Sequence, residues 1–252
     1  MIKVMNLSYQ MKKFSMENVD FSLEDGYLMT LLGRNGAGKT TLLNLIYGCL
    51  APTTGMVLWN GADVTGKHAM ESKNGDLLYH EEVAYVGNRT WCVESLSCNE
   101  NVSMFKGLYS SWDEERFEKI LKLVEFSEDD LSTKVEELSS GKAMQFQFAF
   151  ALARHPKLLL LDEPMTNLDP VVKTDLWDLL LRTISEENIS IIISTHLVEE
   201  VHQITDYIGV IEDGKLVKFG DREQVLGEAF QDGDDTEGLR GLLEVKYEQA
   251  DR

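Results

Sequence analysis

The sequence predicts an α/β fold with a mixed, mainly parallel core sheet, an antiparallel β subdomain at the N-terminus and a helical insertion. Three observations carry that expectation. The apolar-rich runs "KLLLLDE" (157–163) and "ISIIISTH" (189–196) alternate with segments of helical length, the pattern of a parallel sheet covered on both faces. The first third instead consists of short apolar-rich runs punctuated by turn residues. Residues 97–132 are rich in Glu and Lys, and Phe117, Ile120, Leu121 and Val124 recur at helical spacing.

Taken in order, "IKVMNLSY", "ENVDFSL" and "YLMTLLG" read as strands, the last two divided by the turn signal Glu24 to Gly26. "TTLLNLIYGCL" has helical length and ends near Pro52. "GMVLWNGADV" predicts a hairpin around Asn60-Gly61, residue types that accept the positive φ of such turns. "EEVAYVG" reads as a strand leading into the helical insertion. "KLLLLDE" and "ISIIISTH" flank "PVVKTDLWDLLLRTI", a helix with Pro170 at its start. "YIGVIEDGKLVKFG" predicts a hairpin turning at Asp213-Gly214, and the acidic stretch after about Glu228 a loop and a short helix. The domain expectation is one large domain over 1–228, with a helical subdomain inserted at about 97–150, and an acidic tail at 229–252.

The chain has 252 residues and a net charge of −19, from 24 basic and 43 acidic residues. Such a surface repels phosphate backbones and anionic lipid headgroups, so nucleic acid is not expected as a partner. Three cysteines, odd in number and without metal or redox spacing, fit reduced thiols. No run reaches signal-peptide form or the ~20 apolar residues that span a bilayer, so a soluble chain is expected.

The chemistry begins at "GRNGAGKTT". Gly33, Gly38, Lys39 and Thr40 fill the pattern G-x-x-x-x-G-K-[ST] between a predicted strand and a predicted helix. Glycines let backbone N–H groups turn toward phosphate oxygens, and the helix N-terminus adds positive potential. The binding stretch is Gly33, Arg34, Asn35, Gly36, Ala37, Gly38, Lys39, Thr40 and Thr41, with Lys39 for the β/γ-phosphates and the Thr40 hydroxyl for Mg²⁺. Further on, "LLLLDEP" ends a buried strand in two carboxylates, which need cations or polar partners at a sheet edge. Asp162 suits Mg²⁺, and Glu163 suits the water that attacks the γ-phosphate. Between the two, "ELSSGK" places Ser139 and Gly141 at the start of a helix, a second anion-binding turn.

Together these stretches resemble the nucleotide-binding subunits of ABC transporters, which are P-loop NTPases. "GRNGAGKT" resembles their Walker A loop, "LSSGK" the signature usually written LSGGQ, "LLLLDE" Walker B, "TNLD" the D-loop and "STH" the switch-histidine loop. The resemblance runs in order from about Ile2 to Gly227. It implies ATP and Mg²⁺ as ligands and a head-to-tail pair with ATP between the Walker A face of one subunit and the signature of the other. Ser139, Ser140 and Gly141 then face the partner's ATP, Asp169 lies at the dimer seam, and His196 joins Glu163 as a catalytic residue. It also implies an integral membrane partner, a second ATPase subunit, and a cytoplasmic position at the inner face of the membrane.

Three departures stand out. Where the family reads "YVP" and then glutamine, this chain reads "YVGN", which puts Asn88 in the third metal-site position. Lys142 and Ser140 replace the usual glutamine and glycine of the signature. The residue that packs on adenine is Met11 by alignment, with Tyr9 and Phe14 close by. The segment "RTWCVESLSCNENVSMFKGLYSSWDEERF" resembles the same region in bacterial exporters of antibiotics and amphipathic peptides. Trp91, Leu96, Met104, Phe105, Leu108, Tyr109 and Trp112 offer apolar area there, either for a membrane-subunit helix or for the core of the insertion. The expected function is therefore an ATP-hydrolysing subunit powering such an exporter. A non-hydrolysing ATP-binding module and a soluble ABC-type ATPase outside transport stay open.

Overall fold

The computed structural model describes residues 1–66, 76–87, 91–166, 168–197 and 205–229. In chain order, β1 (Ile2–Met11), β2 (Phe14–Leu23) and β3 (Leu28–Leu32) precede α1 (Lys39–Tyr47), β4 (Thr54–Trp59) and β5 (Ala62–Asp63). Next come α2 (Asp76–Glu82), β6 (Val83–Gly87), α3 (Cys98–Phe105), α4 (Glu114–Leu123), α5 (Glu128–Ser132), α6 (Ser140–Leu152) and β7 (Leu158–Asp162). The last elements are α7 (Pro170–Glu187), β8 (Ser190–Thr195), β9 (Tyr207–Glu212), β10 (Lys215–Asp221) and α8 (Arg222–Ala229). The chain divides into two compact units, Met1–His68 with Ile192–Arg252, and Ala69–Ile191.

The first unit holds an antiparallel sheet in the order β2-β1-β4-β5. Its first strand buries Ile2, Val4 and Leu7 while Lys3 is exposed, so one face is dry and the other wet. The hairpin at Asn60-Gly61 has φ of 49° and 82°, the left-handed values its residue types accept. A second group of strands runs β10-β9-β3-β8, with β3 and β9 parallel and β9 and β10 antiparallel. All five residues of β3 and all six of β8 are buried, which explains their mainly apolar character; the polar exceptions, Thr30, Ser190, Ser194 and Thr195, are small. The β9–β10 hairpin turns at Asp213 and Gly214. A Cβ at Gly214 would fall 1.8 Å from Ser15 O, so only glycine lets this turn lie against β2.

In the second unit β6 and β7 pair in parallel from Val83–Leu158 to Gly87–Asp162, and β7 is wholly buried. The strand begins at Val83, two residues later than "EEVAYVG" suggests. Glu81 and Glu82 close α2 instead, Glu81 accepting from the Ser110 amide and hydroxyl and Glu82 pairing with Lys157. The insertion is several short helices because side chains stop and restart the backbone. Ser97 with Glu100, and Ser127 with Asp130, form reciprocal capping boxes on α3 and α5, and Asp113 caps α4. On α4, Phe117, Ile120 and Leu121 are the buried face, as their spacing predicts.

The aromatic residues of the insertion mostly form its core. The Trp91 ring lies 3.8 Å from that of Phe150 and also meets Phe105 and Phe146. Trp112 packs on Phe117 and Phe150, and Tyr109 lies between Phe150 and the Arg154 guanidinium, 3.6 Å from its ring. Met104 and Leu108 alone of the seven sequence candidates are among the exposed large apolar residues. Buried aromatics and candidate docking residues carry the same residue types, so composition does not separate them. Helix α8 was not foreseen, and most of the acidic tail, 230–252, lies outside the described residues. No described helix is long and apolar enough to cross a membrane.

Candidate functional site

The first unit carries the phosphate loop at the end of β3. Gly33 is obligatory there, because a Cβ would lie 2.5 Å from Ile211 O. Its amide donates to Thr195 O at 3.2 Å, which fixes the end of β8 beside the loop. Ala37 N donates to Arg34 O, and Gly214 N donates to Ala37 O at 2.8 Å, so the hairpin turn braces the loop from outside. Gly36 and Gly38 have φ of 84° and 116°. Helix α1 then starts without a side-chain cap and without an acidic residue in its first turn. The N–H groups of a helix start call for an acceptor, and an anion is the natural one.

Lys39 is 4% exposed, and its ammonium donates to Gly33 O at 2.6 Å and Arg34 O at 3.1 Å. The charge is thus held over the loop by carbonyl oxygens. Arg34, Asn35, Gly36 and Thr40 are exposed, and Thr41 is half-buried. Of the three adenine candidates, Phe14 touches the loop: a Cβ on Gly38 would meet Phe14 Cζ at 2.8 Å. Met11 is 51% exposed at the tip of the β1–β2 hairpin, and Tyr9 is half-buried. His196 follows directly on Thr195, whose hydroxyl accepts from Leu197 N at 3.0 Å.

The second unit carries the carboxylates and the signature. Asp162 ends β7, is 3% exposed, and accepts at Oδ2 from the Tyr85 hydroxyl at 3.0 Å. Glu163 is half-buried with φ of 50°. A non-glycine residue in the left-handed region is strained, and such strain concentrates at functional positions. The turn is closed by Thr166 N donating to Glu163 O. Asp169 is exposed and caps α7 by accepting from Val171 N at 2.9 Å, with Pro170 in the first turn. Ser139 caps α6 by accepting from Lys142 N at 3.2 Å, a bond that leaves its hydroxyl proton available to donate. Ser139 and Ser140 are exposed. A Cβ on Gly141 would meet Val172 methyls at 3.6 Å and Ser139 Oγ at 4.0 Å, ordinary contacts, so packing within the chain does not demand glycine there.

The family pattern described as "ABC transporter" matches residues 16–166, more than half of the chain. The chain belongs to the ABC transporter family. The bacitracin transport ATP-binding protein BcrA of Bacillus licheniformis is 28% identical over 204 residues, covering 81% of this chain and 64% of that one. The sulfate/thiosulfate import ATP-binding protein CysA of Neisseria meningitidis serogroup A is 34% identical over 229 residues, covering 89% and 62%. The chain thus spans somewhat under two thirds of both relatives. A solved structure described as the ATP-binding subunit of an ABC transporter superposes with a TM-score of 0.81 at 23% identity, covering 96% of this chain and 98% of that one. That likeness concerns the fold: an antiparallel sheet, a mixed, mainly parallel sheet, and helices. ATP-binding cassettes of this family are ATPases.

Within this ABC cassette the altered signature keeps its turn, and Lys142 takes a structural post. Its ammonium donates to Glu125 O at 2.7 Å, pairs with Asp130 Oδ2 at 2.8 Å and lies 5.2 Å from the Phe126 ring centroid. Burial is the largest influence on Asp130 and raises its pKa, but the Lys142 bond and the Ser127 cap outweigh it and hold the carboxyl below its ordinary value of 3.8. Thr40 and Asp162 offer oxygen donors, the chemistry a hard divalent cation takes. Among the described residues no cluster of three or more His, Cys, Asp or Glu side chains forms a free-standing metal site. Asn88, the third sequence candidate for the metal, lies outside the described residues, as does Asn167 of the "TNLD" stretch. The motif reading missed Tyr85. Its one signal was a phenol in an otherwise apolar strand, where even a half-buried hydroxyl tends to find a partner.

Proposed function

We propose that this chain binds and hydrolyses ATP to power a bacterial exporter of antibiotics or amphipathic peptides, through a separate membrane subunit and as one of a pair of ATPase subunits. The observation that carries ATP binding is Lys39 held by the Gly33 and Arg34 carbonyls above a loop of left-handed glycines. With nucleotide present, the ammonium exchanges those carbonyls for β/γ-phosphate oxygens, and the α1 amides take the rest. Phe14, already against Gly38, is the best placed of the three adenine candidates.

Thr40 and Asp162 are the residues that would hold Mg²⁺, which would supply positive charge against the phosphates. Glu163 orients and polarises the attacking water. The bond between Gly33 N and Thr195 O supports a role for His196 at the γ-phosphate. Ser139, Ser140 and Gly141 serve the partner's nucleotide: a hydroxyl proton, a helix N-terminus, and a glycine that packing does not require. Asp169 lies at the seam. Both subunits grip the γ-phosphate, so ATP favours the closed pair and hydrolysis reopens it.

Relatives named for bacitracin transport and for sulfate/thiosulfate import both match, so export rests on the resemblance of the segment around Trp91 to Phe117. Phosphate release by the purified chain, with and without its membrane subunit, tests the catalytic reading. Glu163→Gln is expected to bind ATP, lose at least ~99% of turnover, as the loss of a catalytic base implies, and accumulate as an ATP-bound dimer by size-exclusion chromatography. Full hydrolysis by that variant would remove Glu163 from the mechanism. Inside-out vesicles bearing both subunits are expected to accumulate bacitracin on ATP addition, and loss of preloaded peptide instead would overturn export.

A further inference from the structure

Three residues of the second unit meet at the end of β7. The parallel register puts Tyr85 opposite Leu160 and Gly87 opposite Asp162, so Tyr85 stands diagonal to Asp162 on the neighbouring strand. A diagonal neighbour lies within reach of an aromatic side chain, and Tyr85 uses that reach to donate to Asp162 Oδ2 at 3.0 Å. Gly87 lies between them. A Cβ there would come 2.8 Å from Asp162 Cβ, 3.2 Å from Asp162 O and 3.2 Å from Tyr85 Cε1, so any larger residue has to shift Asp162 or the ring and with them the contact between the two.

We propose that Tyr85 is a positioning residue for the Asp162 carboxylate, fixing its rotation for divalent-cation binding, and that Gly87 is the space this contact requires. The proposal rests on the reading of Asp162 as a cation-binding residue. A carboxylate that turns freely loses that freedom when it engages a cation. One already held by a hydroxyl is oriented in advance, and groups that orient metal ligands typically account for 10- to 100-fold in metal affinity. Neither Tyr85 nor Gly87 is a catalytic residue in this account, since neither touches nucleotide or metal.

The test titrates Mn²⁺, read by electron paramagnetic resonance, into the full chain with ATP under conditions too cold for turnover. ATP affinity in excess chelator and the melting temperature are measured alongside. Tyr85→Phe removes one oxygen atom and is expected to weaken Mn²⁺ binding by about 10-fold, the lower end of that range, with metal-free ATP affinity within about twofold of the parent. Gly87→Ala is expected to weaken Mn²⁺ binding as well while leaving both side chains chemically intact, and it reads the same contact if Tyr85→Phe does not fold. Parent-like Mn²⁺ affinity in Tyr85→Phe, with weakening in Asp162→Asn, would overturn the role of Tyr85 and keep Asp162. Parent-like affinity in Asp162→Asn would overturn the reading of Asp162 and this proposal with it. Equal loss of metal-free ATP binding in Tyr85→Phe would mark a structural role and refute the positioning one.

Discussion

Replacing Lys142 by glutamine tests how the altered signature is held. The substitution removes an ion pair to Asp130, a bond to the Glu125 carbonyl and the charge near the Phe126 ring. The Lys142 and Asp130 side chains are 31% and 23% exposed, so solvent screens the pair and ~0.5–1 kcal/mol is a reasonable coupling. The carbonyl bond adds about 1 kcal/mol and the ring contact about 0.5 kcal/mol, so Lys142→Gln should cost roughly 2 kcal/mol in total. A double-mutant cycle with Asp130→Asn isolates the pair, read by urea unfolding followed through tryptophan fluorescence. The coupling also has a signed pH dependence. Asp130 is held below 3.8 in the folded chain, so it binds its proton less readily there than when unfolded. The stabilisation is complete well above pH 3.8 and is lost as the pH falls through 3.8 toward the lower folded value. A coupling of zero at neutral pH, or one unchanged at pH 3, would refute the argument.

Other expectations follow from the loop and the thiols. Gly38→Ala puts a methyl 2.8 Å from Phe14 Cζ at a φ of 116°, and should abolish ATP binding in a calorimetric titration and lower stability by at least ~2 kcal/mol. Gly36→Ala, with φ of 84° and nothing within 4 Å, bears backbone strain alone and should cost about 1 kcal/mol. Burial raises the Cys98 thiol to about 12, with the Asp130 charge adding to it, and burial with the neighbouring Cys98 raises Cys92 further. Cys49 is exposed, so native protein at pH 8 should label rapidly at one thiol and at all three only in denaturant. Two fast thiols in the native chain would contradict the buried placement of Cys92 and Cys98.

Much of the architecture was legible because its signals are local. A strand buried on both faces is mainly apolar, and the Leu158–Leu161 and Ile191–Ile193 runs of β7 and β8 read as such. Turns at positive φ need Asn, Asp or Gly, which marked Asn60-Gly61 and Asp213-Gly214. The phosphate loop was legible for the same reason, since its glycines and lysine are dictated within nine residues. The start of β6 was not, because Glu81 and Glu82 are held by Ser110 and Lys157, partners distant in sequence. Nor was the fate of the aromatics between Trp91 and Trp112, since a ring in a core and a ring awaiting a partner are the same residue type.

The sequence by itself determined that a phosphate-gripping loop, a carboxylate-tipped strand and a serine-capped helix occur in one chain and in one order. Those are properties of short stretches, set by backbone conformation and side-chain chemistry. Only the tertiary structure decided that Gly33 must lack a side chain because Ile211 crowds it, that Lys142 is spent on Glu125 and Asp130, and that Tyr85 reaches Asp162 across Gly87. Each depends on strands and helices that are far apart in the chain coming within a few ångströms, and close packing leaves no local trace of which neighbour will be there.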